Sequence, residues 1–249
     1  MRKTSRARAV ARVWLGTLGV YVLSAGPNPC QNPPVTAQVE VGTRSPQKPA
    51  SPRNDDDVVV WLKALDPGPA SADPAAAKRQ KLVQFHKTFE PHVLVVPVGS
   101  VVEFPNKDPF FHNVFSLFEG KRFDLGLYEA GVTNSVRFDR EGISYLFCNI
   151  HPEMSAVVVS VNTPYYGISD RTGKVSIPDV PDGRYEVHYW AERALPEALR
   201  KLTRVVTVSG SARALSSVQI AENPNFSSLH KNKYGQDYVP PPPTDYSHP

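Results

Sequence analysis

The chain has 249 residues, with 28 Lys plus Arg against 24 Asp plus Glu and a net charge of +4. Five of those cations (Arg2, Lys3, Arg6, Arg8 and Arg12) precede the first apolar run; without them 23 basic residues face 24 acidic ones, so the basic balance does not argue for nucleic-acid binding. The length suits one large or two small domains, and no phosphate loop, nucleotide fingerprint, serine elbow or paired catalytic carboxylates stand out.

The five cations lead into Val13–Ala25 (VWLGTLGVYVLSA), an apolar run too short for a comfortable membrane span. That order is the pattern of a secretory signal peptide over residues 1–26, with Ser24, Ala25 and Gly26 offering a cleavage point and no twin-arginine pair before it. The expectation is a periplasmic or otherwise exported protein. It meets a membrane only if the signal is uncleaved or Cys30 is lipidated, and Pro27-Asn28-Pro29 lacks the small residues that favour lipidation.

Residues 27–57 form a Pro- and Asp-rich linker with one strand at Val35–Val41 (VTAQVEV). A second strand is predicted at Val58–Leu65 (VVVWLKAL), followed by a loop through residue 80. From Lys81 the pattern is all-β, with strands at Lys81–Phe85, Val93–Val98, Val101–Phe104, His112–Leu117, Thr133–Phe138, Ile143–Cys148 and Ala156–Val161. Short strands at this spacing predict a Greek-key sandwich or barrel over residues 81–162. A second, thinner β block of four or five strands covers residues 163–222. Asp170 and Gly173 are placed for a hairpin turn within Gly167–Ile177, and Pro181-Asp182-Gly183 makes another turn before alternating Tyr185, Val187 and Tyr189. Further strands at Val205–Val208 and Leu215–Ile220 and a short helix at Ala194–Leu202 complete the block. The polar tail 223–249, ending near Pro240–Pro243, is expected to be disordered or loosely attached.

The chemistry lies in EFPNKDPFFHN and in the CNIHPEM loop. Cys148, His151 and Met154 are spaced three residues apart, so one loop can wrap three donors around a metal, and His112 arrives from another strand. One thiolate, two imidazoles and one thioether suit copper: sulfur stabilises Cu(I), imidazole serves both oxidation states, and His₂Cys with a weak axial Met is the blue-copper set used for one-electron transfer. Zinc fingers pair their ligands as closely spaced doublets, and this pattern does not. A Cys30–Cys148 disulfide is the competing use of the only two cysteines. Cys148, at the end of an apolar strand and followed by two more donor types, is read as free and metal-bound. Asn113 and Asn149 flank the ligands as supports for the ligand strands or as turn residues, and Phe110, Phe111 and Ile150 form either core or an apolar docking patch around His151. His86, His92, His188, His230 and His248 have no partner at ligand spacing, and Asp55–Asp57 reads as a solvated loop.

On these residues the chain resembles the cupredoxins, the small blue-copper β-sandwich proteins, and its short Cys-x-x-His-x-x-Met loop is most similar to that of amicyanin. The resemblance covers residues 81–162 and implies one type 1 copper per chain, held by His112, Cys148, His151 and Met154. It implies electron transport with a redox partner protein docking transiently near His151, and no catalytic residue. The segment TPYYGISDRTGKVSIPDVPDGRYEVHYW resembles a carboxypeptidase-regulatory-like or transthyretin-like sandwich, as in exported methylamine-utilisation-type proteins. That implies that Val35–Val41 and Val58–Leu65 complete the C-terminal sandwich, with the copper domain inserted between. Three other readings stay open. One is an envelope copper-binding or delivery protein, and another an interaction module carried by the second sandwich. The third is a Cys148/His151 nucleophilic enzyme, for which no oriented base or oxyanion site is evident.

Overall fold

The computed structural model describes residues 32–42, 57–66, 79–117, 120–227 and 230–238. The expected signal segment, Cys30 and Pro240–Pro243 lie outside them, and among the described residues no helix is long and apolar enough to cross a membrane.

In chain order the strands are β1 (Val35–Val41), β2 (Val59–Ala64), β3 (Gln80–Lys81), β4 (Val83–Phe85), β5 (Thr88–Glu90), β6 (Val93–Pro97), β7 (Val101–Pro105) and β8 (His112–Ser116). Then come β9 (Phe123–Tyr128), β10 (Thr133–Arg137), β11 (Gly142–Phe147), β12 (Ser155–Val161), β13 (Tyr166–Ile168), β14 (Lys174–Ile177) and β15 (Gly183–Trp190). The helix α1 (Pro196–Leu202), β16 (Arg204–Val208) and β17 (Val218–Ile220) follow. The fold is therefore all-β with one short helix, which opens on Pro196 where a missing N–H costs nothing and carries Arg200 and Lys201 in its last turn.

Strands β3–β12 build the first sandwich. A five-stranded sheet, β6-β12-β11-β8-β9, faces a three-stranded sheet, β10-β7-β3, with β4 and β5 paired beside them. Leu94, Val96, Val114, Leu146, Ala156 and Val158 from one sheet meet Val102, Phe104 and Val136 from the other in a common core. The expected strand Lys81–Phe85 is broken at fully buried Leu82: one half pairs with β7 and the other with β5. FDLGLY (β9) was not predicted, because Asp124 and Gly126 make it poor in strand formers. It is held as a strand by pairing with β8, across a register shift between Asn113 and Phe115.

Strands β1 and β2 both pair within the second block. β1 pairs with β14 and, in parallel, with β17, while β2 pairs with β13 and β15. The second block thus has seven strands in two sheets, β14-β1-β17 and β13-β2-β15-β16: five from residues 163–222, with β1 and β2 added to them. Asp170 and Gly173 do form the expected turn: Gly173 N–H donates to Asp170 O at 2.8 Å, and a Cβ on Gly173, at φ +76°, would overlap the Val39 carbonyl. The strands on either side do not pair as a hairpin, however. β13 continues onto β2 and β14 onto β1, so the turn crosses from one sheet to the other.

The two blocks share a core. On β6, Val93 and Val95 point to one side and Leu94 and Val96 to the other; on β12, Val157, Val159 and Val161 oppose Ala156 and Val158. The first set packs with Val35, Val59, Leu62, Val175, Val187 and Ile220 of the second block. A sheet buried on both faces needs unbroken apolar runs, which is why VLVVP and AVVVSV lack the alternation of a half-exposed strand.

Candidate metal centre

Sheet order places the donors. β8 and β11 are neighbours, paired at Phe115 and Phe147, so His112 at the start of β8 and Cys148 just past β11 lie at the same end of the sheet. The loop from Cys148 to Met154 closes on itself: Cys148 N–H donates to Met154 O at 3.2 Å, and Met154 N–H to His151 O at 3.1 Å. That closure turns His151 back toward Cys148. Cys148 Sγ lies 3.8 Å from His112 Nδ1 and 3.5 Å from His151 Nδ1, and the two Nδ1 atoms are 3.1 Å apart. Met154 is fully buried in the same core cluster as Cys148. Cys148 is a free thiol, and among the described residues His112, Cys148 and His151 form a group able to hold a metal, with ligand atoms all within 4.8 Å.

The surroundings fix protons and orientation. His112 Nε2 donates to Asp108 Oδ2 at 2.7 Å, both side chains being almost wholly buried, so in the neutral ring Nδ1 presents its lone pair to Cys148. Asp108 is itself held by the backbone N–H groups of His86 (2.7 Å) and Lys87 (2.9 Å), two residues in left-handed conformation. Burial works against ionisation of Asp108, but the Lys87 N–H, the His112 ring and the His86 N–H together keep its carboxyl below the usual range. Burial pushes the Cys148 thiol up, against backbone N–H groups of Asn113, Ile150 and His151 that favour the thiolate. Burial, and then the neighbouring His112, lowers the pKa of His151 and favours its neutral ring. A cation at this point would stabilise the thiolate and use both imidazoles as they stand. Two facing ring nitrogens and a buried sulfur, without a carboxylate oxygen among them, match a soft or borderline metal better than a hard one.

Both asparagines support the ligand strands through remote partners. Asn113 Nδ2 donates to Asp124 Oδ1 (2.8 Å) and Gly126 O (2.9 Å), and Asn149 Oδ1 accepts from Lys233 N–H at 2.9 Å. Phe110 and Phe111 are surface residues, 37% and 55% exposed, and Phe110 leans on both His112 and His151. Ile150 is 42% exposed beside them.

The side chains of His86, His92 and His188 take no part in the donor group. His86 stacks on Phe85, His92 bridges Ser155 O and Glu192, and His188 pairs with Glu186 and stacks on Trp61. Sequence reasoning missed Asp108, although a carboxylate four positions before a ligand histidine was a usable signal. It also missed the tail. Residues 230–238, expected to be loose, are seated against the ligand loop: Tyr238 O–H donates to Cys148 O at 2.6 Å and His230 stacks on Phe147 at 4.2 Å.

No family model and no curated protein matches the chain. Among solved structures, a purple cupredoxin from Nitrosopumilus maritimus is similar at 23% identity over 33% of this chain and 99% of its own, with a TM-score of 0.30. The copper-containing nitrite reductase NirK from Thermus scotoductus SA-01 is similar at 23% identity over 40% of this chain and 25% of its own, TM-score 0.33. A point mutant of amicyanin in its Cu(I) form is similar at 19% identity over 41% of this chain and 98% of its own, TM-score 0.32. The donor geometry stands independently of these likenesses.

Proposed function

We propose that the chain binds one copper ion that His112 Nδ1, Cys148 Sγ and His151 Nδ1 would hold, with the Met154 thioether as a further, weaker donor, and carries single electrons between partners. The observation behind this is the convergence of one thiol sulfur and two Nδ1 atoms within 4.8 Å in a rigid, mostly buried frame. Copper bound there supplies one-electron redox chemistry; the chain's own part is to hold the donors so that little moves between oxidation states. Cys148 provides the thiolate and a covalent route into β11. His112 is pinned by Asp108. His151 is half-buried among exposed Phe110, Phe111 and Ile150, an apolar rim on which a redox protein docks transiently. The role is that of an electron carrier rather than a catalyst, in an exported protein that pairs this site with a second β-sandwich.

The test is a visible and EPR spectrum of the chain from residue 27 onward after one equivalent of Cu(II). The expected result is an intense thiolate-to-copper band with narrow copper hyperfine splitting, lost in Cys148→Ser. A colourless protein that holds Cu(I) or zinc tightly overturns the electron-transfer reading in favour of metal storage or delivery.

A further inference from the structure

The segment 230–238 touches the Cys148 end of the donor loop and, through Asp124 on β9, is linked to the strand that carries His112. On the Cys148 side, Tyr238 O–H donates to the Cys148 carbonyl at 2.6 Å, Lys233 N–H donates to Asn149 Oδ1 at 2.9 Å, and His230 covers the Phe147 ring at 4.2 Å and 28°. On the His112 side, Lys233 Nζ reaches Asp124 Oδ2 at 2.8 Å, and Asp124 Oδ1 in turn accepts from Asn113 Nδ2 at 2.8 Å. Asn113 directly follows His112. The strap is therefore joined to the peptide of one donor and, through one carboxylate, to the neighbour of another.

Its internal order suits that task. Tyr238 and His230 rings meet edge to face at 5.3 Å, Tyr238 Oη lies 3.3 Å from His230 Nδ1, and Asn232 Oδ1 accepts from the N–H groups of Tyr234 (2.9 Å) and Gln236 (3.0 Å). Tyr238 is half-buried whereas Tyr234 is 72% exposed, so only one of the two tyrosines faces the loop. A surface tail with no task at the site has no need of three contacts on the two residues that begin the ligand loop and the one before them.

We infer that residues 230–238 form a clamp on the donor loop, with Tyr238 and Lys233 as positioning residues that fix the Cys148-Asn149 peptide and keep the thiol shielded. The consequence for copper rests on the metal reading above; the shielding of the thiol does not. Each polar contact of this type shifts a local opening equilibrium about 5-fold, and the three polar contacts together about 100-fold.

The experiment compares the full chain with Tyr238→Phe, a chain ending at residue 229, and Tyr234→Phe as control. Two quantities are read: the rate at which Cys148 in the metal-free protein reacts with a maleimide, and the thiolate-to-copper band and copper release to a chelator after loading with Cu(II). The expected maleimide rates rise about 5-fold in Tyr238→Phe and about 100-fold in the shortened chain, with Tyr234→Phe unchanged. Copper release should rise in the same order, and the thiolate band should shift in Tyr238→Phe, which a merely structural contact would leave in place. Equal maleimide rates in the full chain and Tyr238→Phe overturn the clamp, whatever the copper data show. A full chain with no Cys148-dependent copper band overturns the metal reading instead, while the maleimide rates still decide the clamp. If the shortened chain fails to fold, the Tyr238→Phe rate decides the matter alone.

Discussion

Replacing Asp108 by alanine removes a carboxylate that accepts three hydrogen bonds at once, from His112 Nε2, His86 N and Lys87 N. The first is the costly one. The His112 side chain is 0% exposed, so its Nε2–H finds no water when the acceptor goes, and losing one charge-assisted buried bond costs about 1.5–3 kcal/mol. His86 and Lys87 are exposed, so their N–H groups rehydrate and cost about 0.5–1 kcal/mol each. The expected destabilisation of the metal-free protein is therefore about 2.5–5 kcal/mol, a large part of a typical folding free energy. Asp108→Asn is the informative partner. Its amide oxygen can still accept from His112 and Lys87, leaving the NH₂ group opposed to the His86 N–H near the surface, so its cost should be about 1–2 kcal/mol. Copper affinity should fall about 10–100-fold in the alanine variant, because nothing then holds the His112 tautomer and ring. Urea unfolding of the metal-free proteins measures the first quantity, and chelator competition the second. An alanine variant within about 1 kcal/mol of the parent, or an asparagine variant as damaged as the alanine one, would refute the account of Asp108 as the acceptor that orients His112.

Met154 is fully buried, so Met154→Ala should cost about 2–5 kcal/mol in urea unfolding, whereas Met154→Leu should cost under about 1.5 kcal/mol and still move the reduction potential of the copper form. An unchanged potential in the leucine variant would remove Met154 from the ligand set. Gly167 sits where the two sheets of the second block approach, and a Cβ there would lie 2.6 Å from Ser176 O and 2.9 Å from Val175 Cγ1. Gly167→Ala should lower stability by about 1–3 kcal/mol by thermal unfolding, while Gly99→Ala, with open space but φ +94°, should lose only about 1 kcal/mol. The side-chain hydrogen bond to Glu192, opposed by burial, raises the pKa of His92. A raised folded value means the pair's contribution is complete below the unfolded histidine pKa, about 6.5, and fades as pH climbs through the folded value. The Tm gap between the parent and Glu192→Gln should therefore be widest near pH 5–6 and close at higher pH, amounting to about 1 kcal/mol at most because both side chains are partly exposed.

How much of this was legible depended on whether the information lay near in sequence. Cys148, His151 and Met154 announce themselves because their spacing is local, and His112 because it opens a strand after two aromatics. The Val35–Val41 strand was readable to its last residue from alternation, and β6 and β12 from their unbroken valines. Where an element owes its state to a partner, the reading failed. FDLGLY has the composition of a loop and becomes a strand through β8, and the halves of the expected Gly167–Ile177 hairpin are separated by the stronger claims of β2 and β1. The support of the donor site was the least legible part. Asp108 looks like any turn aspartate until the fold brings His112 onto it, and nothing in a polar tail points 90 residues back to the Cys148 carbonyl.

The order of the strands along the chain also sets an order of events. Every donor and Asp108 lie within β3–β12, whose strands pair only with one another, while the far face of its five-stranded sheet is covered by the second block. The second block has to wait, since β1 at one end is completed only by β14 and β17 near the other, and pairings this distant form slowly. Tyr238 emerges last of all. A chain made from its N-terminus therefore holds all three donor residues before the segment that contacts the Cys148-Asn149 peptide has been added.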